Sequence, residues 1–282
     1  AVEQGAVGIA IGNVIGSNIA NILLVLAVAA VISPIIVHPN VIARDGAVMI
    51  AVTALFCGLI WFGEFSRVAG FLLVTLLVAY LTFSLIADQR RQGPTAEMHK
   101  AEGEIVEAGF GLVTGILIAV AGLAGVVAGA NLLVTGAVSL ARSFGISETV
   151  IGLTIVAIGT SLPELATSVV AAYRKRADVA LGNIIGSNIF NVLGILGITA
   201  LVRPFGIRGD TSAEALAGDQ PVSMVSSIDI GALVLSVGLL ILFALTGRQI
   251  ARWEGAVLLT GYAVYMGLTF GLLPTFNLVP NG

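Results

Sequence analysis

The run Gly159-Thr160-Ser161-Leu162-Pro163-Glu164 sets a carboxylate, two hydroxyls and a proline side by side within a strongly apolar stretch. An acid at the centre of a membrane span is unfavourable by about 2.5–3.5 kcal/mol on insertion scales, so Glu164 must face a cavity, a proton or a cation. Pro163 has no amide proton and its ring crowds the carbonyl of Gly159, which breaks or kinks a helix there and frees backbone carbonyls. Carboxylate, hydroxyl and carbonyl oxygens together suit a hard cation such as Ca2+ or Na+. A carboxyl held protonated and hydrogen-bonded is the alternative reading of Glu164.

A second polar element occurs twice, as Gly12-Asn13-Val14-Ile15-Gly16-Ser17-Asn18-Ile19-Ala20-Asn21 and as Gly182-Asn183-Ile184-Ile185-Gly186-Ser187-Asn188-Ile189-Phe190-Asn191. Ser187 and Asn191 stand four apart and so share a helical face, and Ser17 and Asn21 are their equivalents in the first copy. Taken alone this motif reads as helix packing, because glycine allows close approach while Ser and Asn bond across helices. The duplication and the acid beside a proline turn it toward an ion site, with neutral oxygens from both copies converging on Glu164.

The elements that position these residues are membrane spans. Hydrophobic residues make up 57% of the 282 positions and charged residues 10%, against roughly 25% charged in soluble domains, and the mean hydropathy is +1.06. Apolar stretches run over about 7–36, 46–62, 68–87, 109–140, 146–172, 178–202, 228–246 and 254–272, each near or above the ~20 residues that a spanning helix needs. None alternates with period two, which argues against an outer-membrane barrel and for an all-α polytopic bundle. Small residues recurring between Gly111 and Gly136 predict close helix packing. Cys57 has no partner in the chain, and His38 and His99 lie in connections without ligand-spaced neighbours, so neither a disulfide nor a transition-metal site is expected.

Five crossings separate the two motif copies, and an odd number makes them antiparallel. Pro34 matches Pro204 at the motif's offset of 170, while Arg67, Gly70, Leu73 and Tyr80 match Arg252, Gly255, Leu258 and Tyr265 at an offset of 185. Inverted repeats with polar, Pro- or Gly-interrupted segments are an architecture of secondary transporters, with the site between the halves. Loops holding Arg44, Arg90, Arg91, Lys100, Arg174, Lys175, Arg176, Arg248 and Arg252 outweigh those holding Arg67, Arg142, Arg203 and Arg208, which places the former in the cytoplasm and the C-terminus outside. The expected division is 1–87 as the first repeat, 88–107 as a solvated cytoplasmic linker and 108–282 as the second repeat.

The Gly159–Glu164 signature, the Gly-Asn-Ile-Ile-Gly-Ser-Asn-Ile-Phe-Asn run after it and the Ala128–Ala137 segment before it resemble the calcium/cation antiporter superfamily, which includes sodium/calcium exchangers. The resemblance implies two inverted repeats of five transmembrane helices. It also implies an ion site of Thr160, Ser161, Glu164, Ser187 and Asn191, the carbonyl of Ala157, and Ser17 with Asn21 from the other half. Members often carry an aspartate at one of the positions held here by Asn21 and Asn191, so this chain has fewer negative charges there. Ala1 aligns with Ala171, which leaves Glu164 without a counterpart. The expectation is an N-terminally incomplete chain, cut inside the second helix, with eight full helices and a stub present.

The implied activity is export of Ca2+ in exchange for Na+, or for H+ or K+, across the cell membrane, without a cofactor. The expected partners are inorganic cations and the lipid bilayer, with no nucleic acid and no inferable protein partner. A passive cation channel is the nearer alternative. An intramembrane hydrolase is the more distant one, since the spans offer Ser161 and Ser187 no activating base besides Glu164.

Overall fold

The computed structural model describes residues 7–90, 112–145, 151, 155–174, 176–206 and 225–272. The first motif copy lies in α1 (Val7–Ala20), which passes through a widened, π-type turn over Asn21–Leu26 into α2 (Ala27–Ile32). A two-residue strand β1 (Ile35–Ile36), the short α3 (Pro39–Val41) and a second wide turn (Ile42–Gly46) lead into α4 (Ala47–Phe62). Strand β2 (Glu64–Phe65) and the long α5 (Arg67–Arg90) come next.

After α6 (Leu112–Ser143), the acid-bearing segment forms two pieces, α7 (Ala157–Thr160) and α8 (Leu162–Tyr173). The second copy repeats the first: α9 (Ala177–Phe190), a wide turn over Asn191–Leu196, α10 (Gly197–Val202) and strand β3 (Phe205–Gly206). The chain continues through α11 (Ser227–Thr246), strand β4 (Gln249–Ile250) and α12 (Arg252–Thr269).

Every apolar stretch read from the sequence is thus helical over most of its described residues. Among the described residues six helices are long and apolar enough to cross a membrane, Ile11–Ile32, Ile42–Phe62, Arg67–Ala87, Val120–Ser143, Val179–Val202 and Ser227–Thr246. The outer surface carries large apolar side chains such as Trp61, Phe71, Leu132 and Leu245, whereas Ser17, Asn18, Asn21, Ser161, Ser168 and Asn188 are buried. That distribution suits lipid outside and a polar site within.

The two offsets in the sequence reappear as reciprocal contacts. Strand β1 pairs antiparallel with β4, Ile35 opposite Ile250, and β2 pairs with β3, Phe65 opposite Phe205. Each ribbon therefore joins one half to the other, and the offsets of 170 and 185 interchange them. Gly70 on α5 lies so close to α10 that a Cβ would come within 2.8 Å of the Gly197 carbonyl, and Gly255 on α12 would place one 2.9 Å from the Ala27 carbonyl on α2. The halves thus exchange their last helices across a pseudo-two-fold axis.

One packing expectation takes a different form. Gly122, Gly125, Gly129 and Gly136 on α6 have no neighbour within 4 Å of a built Cβ, so among the described residues the small-residue face of α6 packs on nothing. Its close approach is to α7, where a Cβ on Gly159 would collide with Val134. Most of the expected linker, from residue 91 onward, lies outside the described residues.

Candidate ion site

Pro163 divides the acid-bearing segment. Ser161 takes φ −90° and ψ 0° between α7 and α8, and Pro163 sits in the first turn of α8, where a missing amide proton costs nothing. The Ser161 amide donates three residues back to the Ile158 carbonyl at 3.0 Å. In a regular α-helix that amide would turn to the carbonyl of Ala157. Glu164 falls in the first turn of α8, where the helix's exposed amides favour negative charge.

The two pieces lie across both motif copies. Helix α7 packs on α1, while α8 packs on α9 and along the wide turn and α2 of the first copy. This puts Thr160 against the first copy and Glu164 against the second. Thr160 Oγ1 lies 2.8 Å from Ser17 Oγ and donates to Asn13 Oδ1 at 3.1 Å. Ser17 Oγ also approaches Asn13 Oδ1, at 3.3 Å. On the other side Ser187 Oγ donates to Glu164 Oε1 at 3.4 Å, and Asn183 Nδ2 donates to Thr167 Oγ1 at 3.1 Å.

The expected set is therefore brought together in two groups rather than as one ring around the acid. Ser187 meets Glu164, Ser17 meets Thr160, and Asn21 and Asn191 turn toward the partner motif copy. Asn21 Nδ2 donates to Asn188 Oδ1 at 3.0 Å and Asn191 Nδ2 donates to Asn18 Oδ1 at 2.9 Å. Asn18 and Asn188 in turn donate to each other's main-chain carbonyls, at 3.3 and 3.4 Å. Asn13 joins the cluster through Ser17 and Thr160 though sequence reasoning passed over it; the four-residue spacing that joins Ser17 to Asn21, carried one turn back, reaches Asn13.

Several oxygens remain uncommitted. Among the described residues Asn21 Oδ1, Ser161 Oγ, Glu164 Oε2 and Ser168 Oγ are buried without a hydrogen-bond partner, as is Ser84 Oγ on α5. Several hydroxyls elsewhere in the spans bond back to their own helix, as Thr75 does to Phe71, Thr199 to Ile195 and Thr260 to Ala256. Buried oxygens left unpaired carry a desolvation penalty, which a bound cation would remove. Among the described residues no group of three His, Cys, Asp or Glu side chains gathers; the cluster holds the Glu164 carboxylate and neutral oxygens, a donor set that suits a hard cation.

A helical membrane bundle of two inverted halves, with oxygen donors facing each other at their junction, defines a secondary transporter of the inverted-repeat class. The family model described as "Sodium/calcium exchanger protein" matches residues 1–86 and 114–271. The chain belongs to that family. It is 37% identical over 275 residues to the putative antiporter CaxA of Alkalimonas amylolytica, covering 95% of this chain and 80% of that protein. It is 34% identical over 301 residues to the sodium/calcium exchanger MaX1 of Methanosarcina acetivorans, covering 95% and 81%. Its structure aligns with that of the sodium-calcium exchanger NCX_Mj at a TM-score of 0.69 and 33% identity, over 95% of this chain and 79% of the other.

Proposed function

We propose that this protein moves Ca2+ out of the cytoplasm in exchange for entering Na+, by alternating access around the junction of its two halves. The ligands are Glu164, Thr160, Ser161, Ser187 and Asn191, the Ala157 carbonyl, and Ser17 with Asn21. The observation that carries this is the set of buried, unpartnered oxygens on Asn21, Ser161 and Glu164. The ion pair of Arg44 with Asp45 involves none of these residues.

Coupling follows from charge. An ionised Glu164 without a cation resists enclosure in a low-dielectric interior, while a bound Ca2+ or Na+ offsets its charge, so loaded states change sides and empty ones do not. The cations are substrates, and no bond is made or broken. The loops rich in Lys and Arg then lie in the cytoplasm of a protein in the cell membrane, with the C-terminus outside.

Uptake of radioactive Ca2+ into vesicles containing the protein, under imposed Na+, K+ or pH gradients, tests this reading. An outwardly directed Na+ gradient should drive uptake, and collapsing it with a Na+ ionophore should abolish it. Uptake that follows the pH gradient instead would make H+ the coupling ion. Flux indifferent to every opposing gradient would make the protein a channel.

A further inference from the structure

Main-chain carbonyls accept hydrogen bonds and cannot donate them. Asn18 and Asn188 each face the other's carbonyl, at 3.3 and 3.4 Å, so both must turn their NH2 groups there. Their side-chain oxygens are then fixed as acceptors. Asn21, 3.0 Å from Asn188 Oδ1, and Asn191, 2.9 Å from Asn18 Oδ1, must therefore offer their own NH2 groups. The sense of all four amides is dictated by two carbonyls.

The outcome is that the Oδ1 atoms of Asn21 and Asn191 are turned away from the lattice of amide bonds. Asn21 is 1% exposed, and its Oδ1 has no partner among the described residues. A carboxamide whose NH2 is engaged cannot rotate its oxygen out of place without breaking that bond. We infer that Asn188 and Asn18 are positioning residues, each holding the ligand carboxamide of the opposite half in its oxygen-forward orientation. Asn188, in the second copy, sets Asn21 in the first; Asn18, in the first, sets Asn191 in the second.

This rests on the proposed role of Asn21 and Asn191 as ligands and adds a crosswise dependence to it. The wide turns begin at Asn21 and Asn191, and such turns alter which main-chain groups are free to bond sideways. A cation ligand in one half is thus oriented by the helix of the other, and separation of the two helices would release both carboxamides together.

The test is a set of double-mutant cycles on the apparent Ca2+ affinity of Na+-driven uptake, with the full chain in vesicles. Removing a group that orients a ligand weakens metal affinity by about 10–100-fold, and Asn188→Ala should fall in that range. In an Asn21→Ala background the same substitution should add less than about twofold, since there is no carboxamide left to orient. Asn18→Ala should be silenced in the same way by Asn191→Ala and not by Asn21→Ala. Thermal melting of each variant separates loss of fold from loss of orientation, because a merely structural role would produce equal destabilisation in every background and no pair-specific silencing. Additive effects of Asn188→Ala and Asn21→Ala overturn the positioning role alone. Unchanged affinity in Asn21→Ala overturns the ligand reading itself.

Discussion

Ser17 Oγ and Thr160 Oγ1 lie 2.8 Å apart although 143 positions separate them in the chain. One belongs to the repeated motif of the first half and the other to the broken segment of the second, so the contact marks where the halves close on each other. Asn13 Oδ1 faces both hydroxyls, so removing one leaves the other two groups a partner.

Ser17→Ala and Thr160→Val should therefore each weaken apparent Ca2+ affinity by about 5–10-fold, the scale of one hydrogen-bonded oxygen worth roughly 1 kcal/mol. The double variant should fall short of the product of the two effects, because each single change already breaks the shared contact. The concentration dependence of initial uptake measures this.

The exchange of last helices makes a paired prediction about stability. Gly70→Ala and Gly255→Ala each force a methyl group onto a main-chain carbonyl, and overpacking of this kind costs about 1–3 kcal/mol. Both variants should melt at lower temperature in detergent, by similar amounts. Gly122→Ala, which meets open space, should melt like the parent.

Each half also holds an acid–tyrosine pair, with unequal support. Tyr265 donates to Asp229 at 3.1 Å, and Asp229 caps α11 by accepting the Ser226 amide at 3.0 Å. Tyr80 lies 3.3 Å from Asp45, which also holds Arg44 at 2.8 Å. Asp229 has no basic partner among the described residues, so Tyr265→Phe should destabilise more than Tyr80→Phe. The expected loss is about 1.5–3 kcal/mol for the hydrogen bond to a charged group at Asp229, read as a difference in thermal midpoint between the two variants.

Ligand binding to the folded protein alone adds RT ln(1 + [L]/Kd) to stability, about 2.7 kcal/mol at a hundredfold excess over Kd. Ca2+ should raise the melting temperature of the parent in detergent. It should leave Glu164→Gln almost unmoved, since the neutral amide cannot offset the cation's charge.

Much of this architecture was legible in the sequence because its signals are local. Helix length is set by apolar run length, and the break at Ser161 by the missing amide of Pro163. Duplication was visible as repeated letters, and the offsets of 170 and 185 return as Ile35 opposite Ile250 and Phe65 opposite Phe205. The partners of Asn21 and Asn191 were not legible. The four-residue spacing says which face they share, but their bonds run to Asn188 and Asn18 across a helix pair whose register no local pattern encodes. The wide turns at Asn21–Leu26 and Asn191–Leu196 rotate α2 and α10 away from the faces a regular helix would give them. Small-residue spacing on α6 likewise specified a packable face without specifying its neighbour, and the close approach fell at Gly159 instead.

The central claim is that Glu164 carries the charge that binds and couples the transported cations. Initial uptake of radioactive Ca2+ driven by an outward Na+ gradient, compared between the parent and Glu164→Gln inserted in equal amounts, tests it most directly. Loss of one charged ligand contact, worth about 1.5–3 kcal/mol, predicts a fall of about tenfold or more at sub-saturating Ca2+, with the fold retained by melting. Uptake in Glu164→Gln equal to that of the parent at every Ca2+ concentration would contradict it.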